Sequence, residues 1–245
     1  MANGIYVAAS GAMAQLRRLE AASNNLAHAT EPGYKRDDVT FEDVRAQLRP
    51  EADPTLPRNR DKQFAKDSGT NFRIEAGPIT QTENPLDVAL HGDGFLRVRT
   101  PDGERLTRDG RLALDAEGTL RTIRGHLVLD EGGGEITLPP GAIPSIDRAG
   151  QITAAGVRVG ALGVARVTDP AGLSKQPDGM FVAQGRFEDA SRDEVDVLQG
   201  FVEESNVSAV QAITELVEVQ RTFEALHQVM NAYRQMDEQA TRLMR

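Results

Sequence analysis

Residues 208–243, SAVQAITELVEVQRTFEALHQVMNAYRQMDEQATRL, read as one uninterrupted helix. Leu216, Val219, Phe223, Leu226, Met230, Tyr233, Asp237, Ala240 and Met244 alternate steps of three and four, the spacing of a coiled-coil seam, with one polar interruption at Asp237. Ser208 and Gln211 form a capping-box pair at the start: the Ser hydroxyl accepts from a free first-turn amide and the Gln reaches back to the cap. At 1.5 Å per residue such a helix is a rod of roughly 50 Å, longer than a compact domain of this size usually wraps. A rod of that kind needs another helix along its seam.

The other end of the chain mirrors it. From Asn3 to about Ala29 the positions Ile5, Ala9, Ala12, Leu16, Leu19, Ser23 and Leu26 repeat the same alternation. Glu31-Pro32-Gly33 ends the segment, because a residue before Pro leaves the αR region, Pro cannot continue a helix and Gly is free to take positive φ. The face is small: Ala8, Ala9, Ala12, Ala14, Ala21 and Ala22 bury little area at about 25 cal/mol per Å², so two helices alone are marginal. Close packing among several neighbouring helices suits such a face. An apolar stripe is more often the core of one domain, however, and periodicity alone does not separate pairing within a monomer from self-assembly.

Between the helices the composition changes. From about Gly77 to Leu198 short apolar runs are separated by Asp93-Gly94, Asp102-Gly103, Asp109-Gly110, Glu117-Gly118, Gly132-Gly133-Gly134 and Asp178-Gly179. Strands are expected at Leu86–Leu90, Phe95–Arg99, Leu112–Leu114, Thr119–Ile123, His126–Leu129, Ile136–Leu138, Gln151–Thr153, Gly160–Val167 and Met180–Ala183, a density that fits a sandwich or irregular barrel. The stretch from Arg45 to Ser68 is Pro-rich, charged and aperiodic, and reads as an extended connector or a loop that depends on a partner. The fold class is therefore α+β: N- and C-terminal helices forming a coiled-coil-like helical domain, with an all-β middle domain. The expected division is 1–36 for the first helical segment, 37–76 for the connector, 77–199 for the β domain and 200–245 for the second helical segment.

Composition narrows the function. The net charge of -9 over 245 residues gives no electrostatic footprint for nucleic acid. With no Cys there are no disulfides, thiol nucleophiles or Cys-based zinc sites. Met1-Ala2-Asn3-Gly4 leads straight into a segment broken by Arg17, Arg18 and Glu20, so no cleavable secretory signal is expected, and no apolar run approaches the ~18 residues of a membrane span. Aromatic content of 4% without Trp argues weakly against a deep ligand pocket.

Chemistry-bearing patterns are sparse. His28, His91, His126 and His227 are scattered, with no i, i+4 pair and no HExxH arrangement, so no metal or other cofactor is expected. Gly92-Asp93-Gly94-Phe95 lacks the third Gly of a dinucleotide loop and the Lys of a P-loop, and reads as a hairpin turn. Gly156 and Gly160 read as a tight β corner. The acidic run Glu188 to Asp196 lacks EF-hand spacing and reads as a solvated loop. A glycosidase would need a pair of carboxylates, and nothing singles one out. A secreted module with a coiled-coil stalk would show longer heptads and an export signal.

Stretches at both ends and in the centre of the chain carry a resemblance. Asn3-Gly4-Ile5-Tyr6-Val7-Ala8-Ala9-Ser10-Gly11, Ala22-Ser23-Asn24-Asn25-Leu26-Ala27 and Pro32-Gly33-Tyr34-Lys35-Arg36 resemble the N-terminal signature of flagellar basal-body rod proteins and their hook relatives. Gln81 through Phe95 and Thr107-Arg108-Asp109-Gly110 are similar to the β-domain pattern of that family, and Gly200 through Val207 with Val219 through Glu224 to its C-terminal signature. The opening and the length look most like the proximal-rod branch, with distal-rod or hook-type subunits as alternatives. Departures are His28 where the family often has Asn, Glu31-Pro32, and the connector from Arg49 to Lys66.

The resemblance implies a non-enzymatic structural subunit of a rod that spans the periplasm, with terminal helices forming an inner tube and the β domain outside it. It also implies a torque-transmitting role and passage, unfolded, through the flagellar type III export apparatus. Partners would be further copies and other rod subunits, with no nucleic acid and no direct membrane insertion. The candidate assembly residues are Ile5, Ala9, Ala12, Leu16, Leu19, Asn24, Asn25 and Leu26 on the first helix and Leu216, Val219, Phe223, Leu226, Met230 and Tyr233 on the last. Asn24 and Asn25 read equally well as local caps, from the Asx preference for backbone bonding.

Overall fold

The computed structural model describes residues 2–45, 63–167, 172–183, 188–189 and 195–243, which fall into two units. The helical unit comprises Met1–Ala27, Asp37–Phe72 and Ser208–Arg245; the β unit comprises His28–Arg36 and Arg73–Val207. Two helices, at the two ends of the chain, thus flank a large β-rich middle.

In the helical unit, α1 (Ala2–Ala27) and α2 (Ala209–Leu243) pack antiparallel, with Gly11 of α1 beside Leu226 of α2 and Arg18 Nη2 4.0 Å from Glu215 Oε1. The Ser208 hydroxyl accepts the Gln211 amide at 3.5 Å where α2 begins. The flanks of the expected connector are not extended single strands: β1 (Asp37–Arg45) and β2 (Gln63–Phe72) pair antiparallel, from Asp37 opposite Phe72 to Arg45 opposite Gln63, with a bulge between Val39 and Phe41. The ribbon lies against α1. Its short alternation, Val39-Thr40-Phe41, was masked in sequence by the surrounding charge. The Pro-rich centre of that stretch, 46–62, lies outside the described residues.

The β unit runs through β3 (Ile79–Gln81), β4 (Val88–His91), β5 (Gly94–Thr100), β6 (Gly103–Thr107), β7 (Leu112–Leu114), β8 (Leu120–Thr122), β9 (Leu127–Val128), β10 (Pro144–Ile146), β11 (Gln151–Ala154), β12 (Val157–Ala161), β13 (Val164–Arg166), β14 (Leu173–Lys175), β15 (Phe181–Ala183), β16 (Glu188–Asp189), β17 (Asp196–Gln199) and β18 (Phe201–Glu203). The main sheet has the order β14-β15-β6-β5-β9-β8-β7, with β13 also on β5 and β16 on β13. A second sheet is β10-β11-β12, and two pairs, β17-β4 and β18-β3, join the end of the unit to its beginning. Val88, Leu96, Val98, Leu120, Ile136, Ile152 and Val197 share one core, while Phe95, on the opposite face of β5 from Leu96, meets Phe181 edge to face at 5.3 Å.

Three expected features take other forms. Gly92-Asp93 does not close a hairpin, because β4 pairs with β17 and β5 with β6, β9 and β13, so the turn passes the chain between sheets. The run expected at Gly160–Val167 breaks at Leu162-Gly163, where Gly163 lies against the carbonyls of Leu129 and Asp130 and β12 and β13 leave for different sheets. Ile136 and Leu138 enter the ladder only through single hydrogen bonds, with Leu120 and Gly118. The corner at Gly156 is a β11–β12 hairpin in which Ala155 and Gly156 take φ of 51° and 77°, the positive pair a tight two-residue turn requires. The acidic run from Glu188 lies largely outside the described residues.

Candidate assembly interface

The helical unit places the candidate residues unevenly. On α2 the expected seam is the covered one: Val219 is buried and Leu216, Phe223, Leu226, Met230 and Tyr233 are half-buried. On α1 the covered stripe is rotated from the expected seam. Ala8, Ala12, Ala22 and Asn25 are buried, Ile5, Ala9, Leu19 and Leu26 are half-buried, and Leu16 is exposed. Ala8, Ala12, Gln15, Ala22 and Asn25 lie on a neighbouring stripe, and small residues give such stripes nearly equal apolar weight, so periodicity alone does not choose between them.

Asn24 and Asn25 do not cap α1 by local backbone bonding alone; both reach Asp37 at the start of β1. Asn25 Nδ2 donates to the Asp37 carbonyl at 2.8 Å, Asn25 Oδ1 accepts the Asp37 amide at 2.8 Å, and Asn24 Nδ2 donates to Asp37 Oδ2 at 3.0 Å. The paired bonds from a buried side chain fix where the ribbon leaves α1. Asn25→Ala is expected to destabilise the helical unit by about 2 kcal/mol, since it leaves two backbone groups of Asp37 without their partner. Hydrogen exchange at the Asp37 amide reads it directly; an unchanged rate would contradict this role.

A second cluster, in the β unit, was not anticipated. Glu203 is buried, and its Oε1 accepts from Lys35 Nζ at 2.5 Å and from the Gly77 amide at 2.9 Å, while Oε2 accepts from Arg108 Nη1 at 3.0 Å. Lys35 Nζ also donates to the Glu75 carbonyl at 2.8 Å, and Arg108 donates to the carbonyls of Leu90 at 3.1 Å and Gly92 at 2.6 Å. Burial pulls both cations below their ordinary pKa range, and the Glu203 carboxylate opposes it. The Arg108 guanidinium carbon stands 5.1 Å from the Phe95 ring centroid, and its Nε has no partner among the described residues. Around the triad, the Gly33 amide donates to the Glu203 carbonyl, Asn206 Oδ1 accepts the Arg36 amide, and Lys175 Nζ sits 3.6 Å from the Tyr34 ring centroid.

Three family profiles match in chain order: "Flagella basal body rod protein" over residues 5–35, "Flagellar hook protein FlgE/F/G D1 domain" over 89–154, and "Flagellar basal body rod FlgEFG protein C-terminal" over 198–243. The flagellar basal-body rod protein FlgF of Caulobacter vibrioides is 34% identical over 232 residues, which cover 94% of this chain and 93% of that protein. The chain belongs to the flagellar basal-body rod protein family. FlgF of Mesorhizobium japonicum is also 34% identical, over 91% of this chain and 90% of its own, and FlgG of Bacillus subtilis is 30% identical over 92% of each.

For a rod protein the buried triad has a clear structural sense. Lys35 lies in the Pro32–Arg36 motif, Arg108 in Thr107–Gly110 and Glu203 in the C-terminal motif, so the three quoted signatures meet at one carboxylate. Each was visible as a motif; that they converge was not, because nothing local pairs residues 168 positions apart. Among the described residues no three His, Asp or Glu side chains are gathered as a metal site. No described helix is long and apolar enough to cross a membrane.

Proposed function

We propose that this chain is a FlgF-type subunit of the proximal rod that polymerises through α1 and α2, with coiled-coil-like packing between neighbouring subunits, and transmits torque. The observation that carries this is the apolar surface the helical unit leaves uncovered. Val210 at 75%, Ile213 at 50% and Val217 at 41% exposure follow one stripe of α2, opposite the seam of Ala212 and Val219. On α1, Met13 at 71% exposure faces away from Ala8, Ala12 and Ala22, and Leu16 at 44% borders that stripe. A helix that is apolar on two sides has more to bury than one partner helix covers. The neighbours are further copies and other rod subunits, and the route to them is the flagellar type III export apparatus. The small apolar face of α1, which buries little by itself, supports delivery of an unfolded chain.

The triple change Val210→Ser, Ile213→Ser and Val217→Ser tests it. Because the three side chains are exposed, each substitution is expected to alter the stability of the lone subunit by no more than about 0.5 kcal/mol. Incorporation into basal bodies is expected to fall to background. Normal incorporation and swimming with all three in place would refute the polymer reading. A distal-rod identity is the second reading, favoured by the FlgG relatives; complementation of strains lacking FlgF or FlgG separates the two.

A further inference from the structure

The backbone passes between the β unit and the helical unit at 27/28, 36/37, 72/73 and 207/208. Asn206 stands next to the last of these, and its hydrogen bonds reach the ends of two others. Its Oδ1 accepts the Arg36 amide at 2.7 Å, and its Nδ2 donates to the carbonyls of Arg73 at 3.1 Å and Glu75 at 3.0 Å. Its own amide donates to the Tyr34 carbonyl at 3.3 Å. All of these bonds lie inside the β unit. Asn206 is close in sequence to Ser208, which caps α2, yet none of them goes to α2, so it is not a helix cap. The place calls for Asn: the acceptor and both donors of one short amide are in use, whereas Asp offers no donor and Leu offers neither.

These ties are the outermost ones. Arg36 is the last residue of the β unit before 36/37, Arg73 the first after 72/73, and Asn206 the last but one before 207/208. Deeper in the unit the same segments are held again, by Lys35 and the Gly77 amide on Glu203. A pull on one segment strips hydrogen bonds from the outermost inward, so the bonds of Asn206 take it first and pass it to the other two segments. On the far side of the 36/37 peptide, inside the helical unit, Asn25 holds the amide and carbonyl of Asp37. Force along that segment therefore meets an Asn side chain on each side of the peptide. We propose that Asn206 is a positioning residue for torque transfer, tying three of the four connecting segments together so that force arriving along one is shared among them. This deepens the reading of the chain as a torque-transmitting rod subunit and rests on it.

The test uses the full chain carrying Asn206→Ala or Asn206→Asp. In the purified protein, exchange of the Arg36 amide is expected to rise about fivefold in Asn206→Ala, the effect of losing one ordinary hydrogen bond. In Asn206→Asp it should stay near wild type, because a carboxylate still accepts that amide, while the bonds to Arg73 and Glu75 are lost in both variants. The Val88 and Leu120 amides, deeper in the unit, should exchange as in wild type. In cells lacking their own copy, both variants are expected to enter basal bodies in wild-type amount and to swim normally in dilute medium. Both should stop in viscous medium in which wild-type cells still swim, because drag raises the torque that the rod carries. Wild-type swimming in viscous medium would overturn the proposal, as would an unchanged Arg36 amide in Asn206→Ala. Faster exchange at Val88, or reduced incorporation, would also overturn it, since Asn206 would then serve folding or assembly rather than torque. A wild-type chain that fails to incorporate or to restore swimming would refute the rod reading and this proposal with it, a result told apart from the others by that control.

Discussion

Glu203→Gln is expected to destabilise the β unit by about 3–5 kcal/mol, the cost of breaking a buried ion pair by removing one partner. The change is isosteric, so packing is kept and only the charge is lost. Lys35 and Arg108 are then two buried cations without the carboxylate that bonded them both and also took the Gly77 amide. Stability should be read inside the unit, from exchange at the Val88 and Leu120 amides, which bond to Gly110 and Ile136, since a chain of two units does not have one unfolding free energy. An effect below about 1 kcal/mol would mean the triad is solvated and unimportant.

The same variant carries a pH signature. Burial already holds the folded-state pKa of Lys35 below its ordinary 10.5, with Glu203 pulling it back up. Removing Glu203 lowers it further. Between that lowered value and 10.5 the folded protein binds fewer protons than the unfolded chain, so stability rises with pH across the window. Glu203→Gln should therefore recover stability from neutral pH towards about pH 10 more steeply than wild type; equal slopes would show that Lys35 is not the group left unpaired. Replacing all three side chains by apolar ones, which stabilises some buried ion pairs, is not expected to help here. The triad also serves the backbone groups of Glu75, Gly77, Leu90 and Gly92, which an apolar set would strand.

The contrast between the helices and the triad shows what a sequence exposes. α1 and α2 were legible because their signal repeats every three or four residues and because Ser208 and Pro32 mark where each begins or ends. Short strands such as β5 and β7 were legible from apolar runs bounded by Gly. Among the strands that were missed, β3, β17 and β18 are polar or edge-like over three or four residues and gain their conformation from partners far along the chain. Which face of α1 is covered was not legible for a related reason: with Ala at so many positions, the covered face is chosen by the neighbour. Pairings such as Lys35 with Glu203, or Asn25 with Asp37, are tertiary facts whose residues are legible only as members of motifs.

Gly33→Ala is expected to cost about 3 kcal/mol or more. The backbone there has φ of 71°, a left-handed conformation that costs an L residue about 1 kcal/mol. A Cβ would also stand 2.4 Å from both Arg108 C and Asp109 N, which are main-chain atoms that cannot rotate away. Gly125 separates the two terms, having φ of 87° but nothing within 4 Å of a Cβ, so Gly125→Ala should cost only the conformational part. If the two substitutions cost the same, the close approach of Gly33 to Arg108 is not tight in solution. The clash has a further consequence because the Gly33 amide donates to the Glu203 carbonyl at 2.8 Å. Pushing the 28–36 segment away from Arg108 pulls Lys35 from Glu203, so Gly33→Ala and Glu203→Gln disrupt one docking event. Their double variant should be less destabilised than the sum of the singles by more than about 0.5 kcal/mol; strict additivity would mean that the Pro32–Arg36 motif and the C-terminal motif are held in place independently.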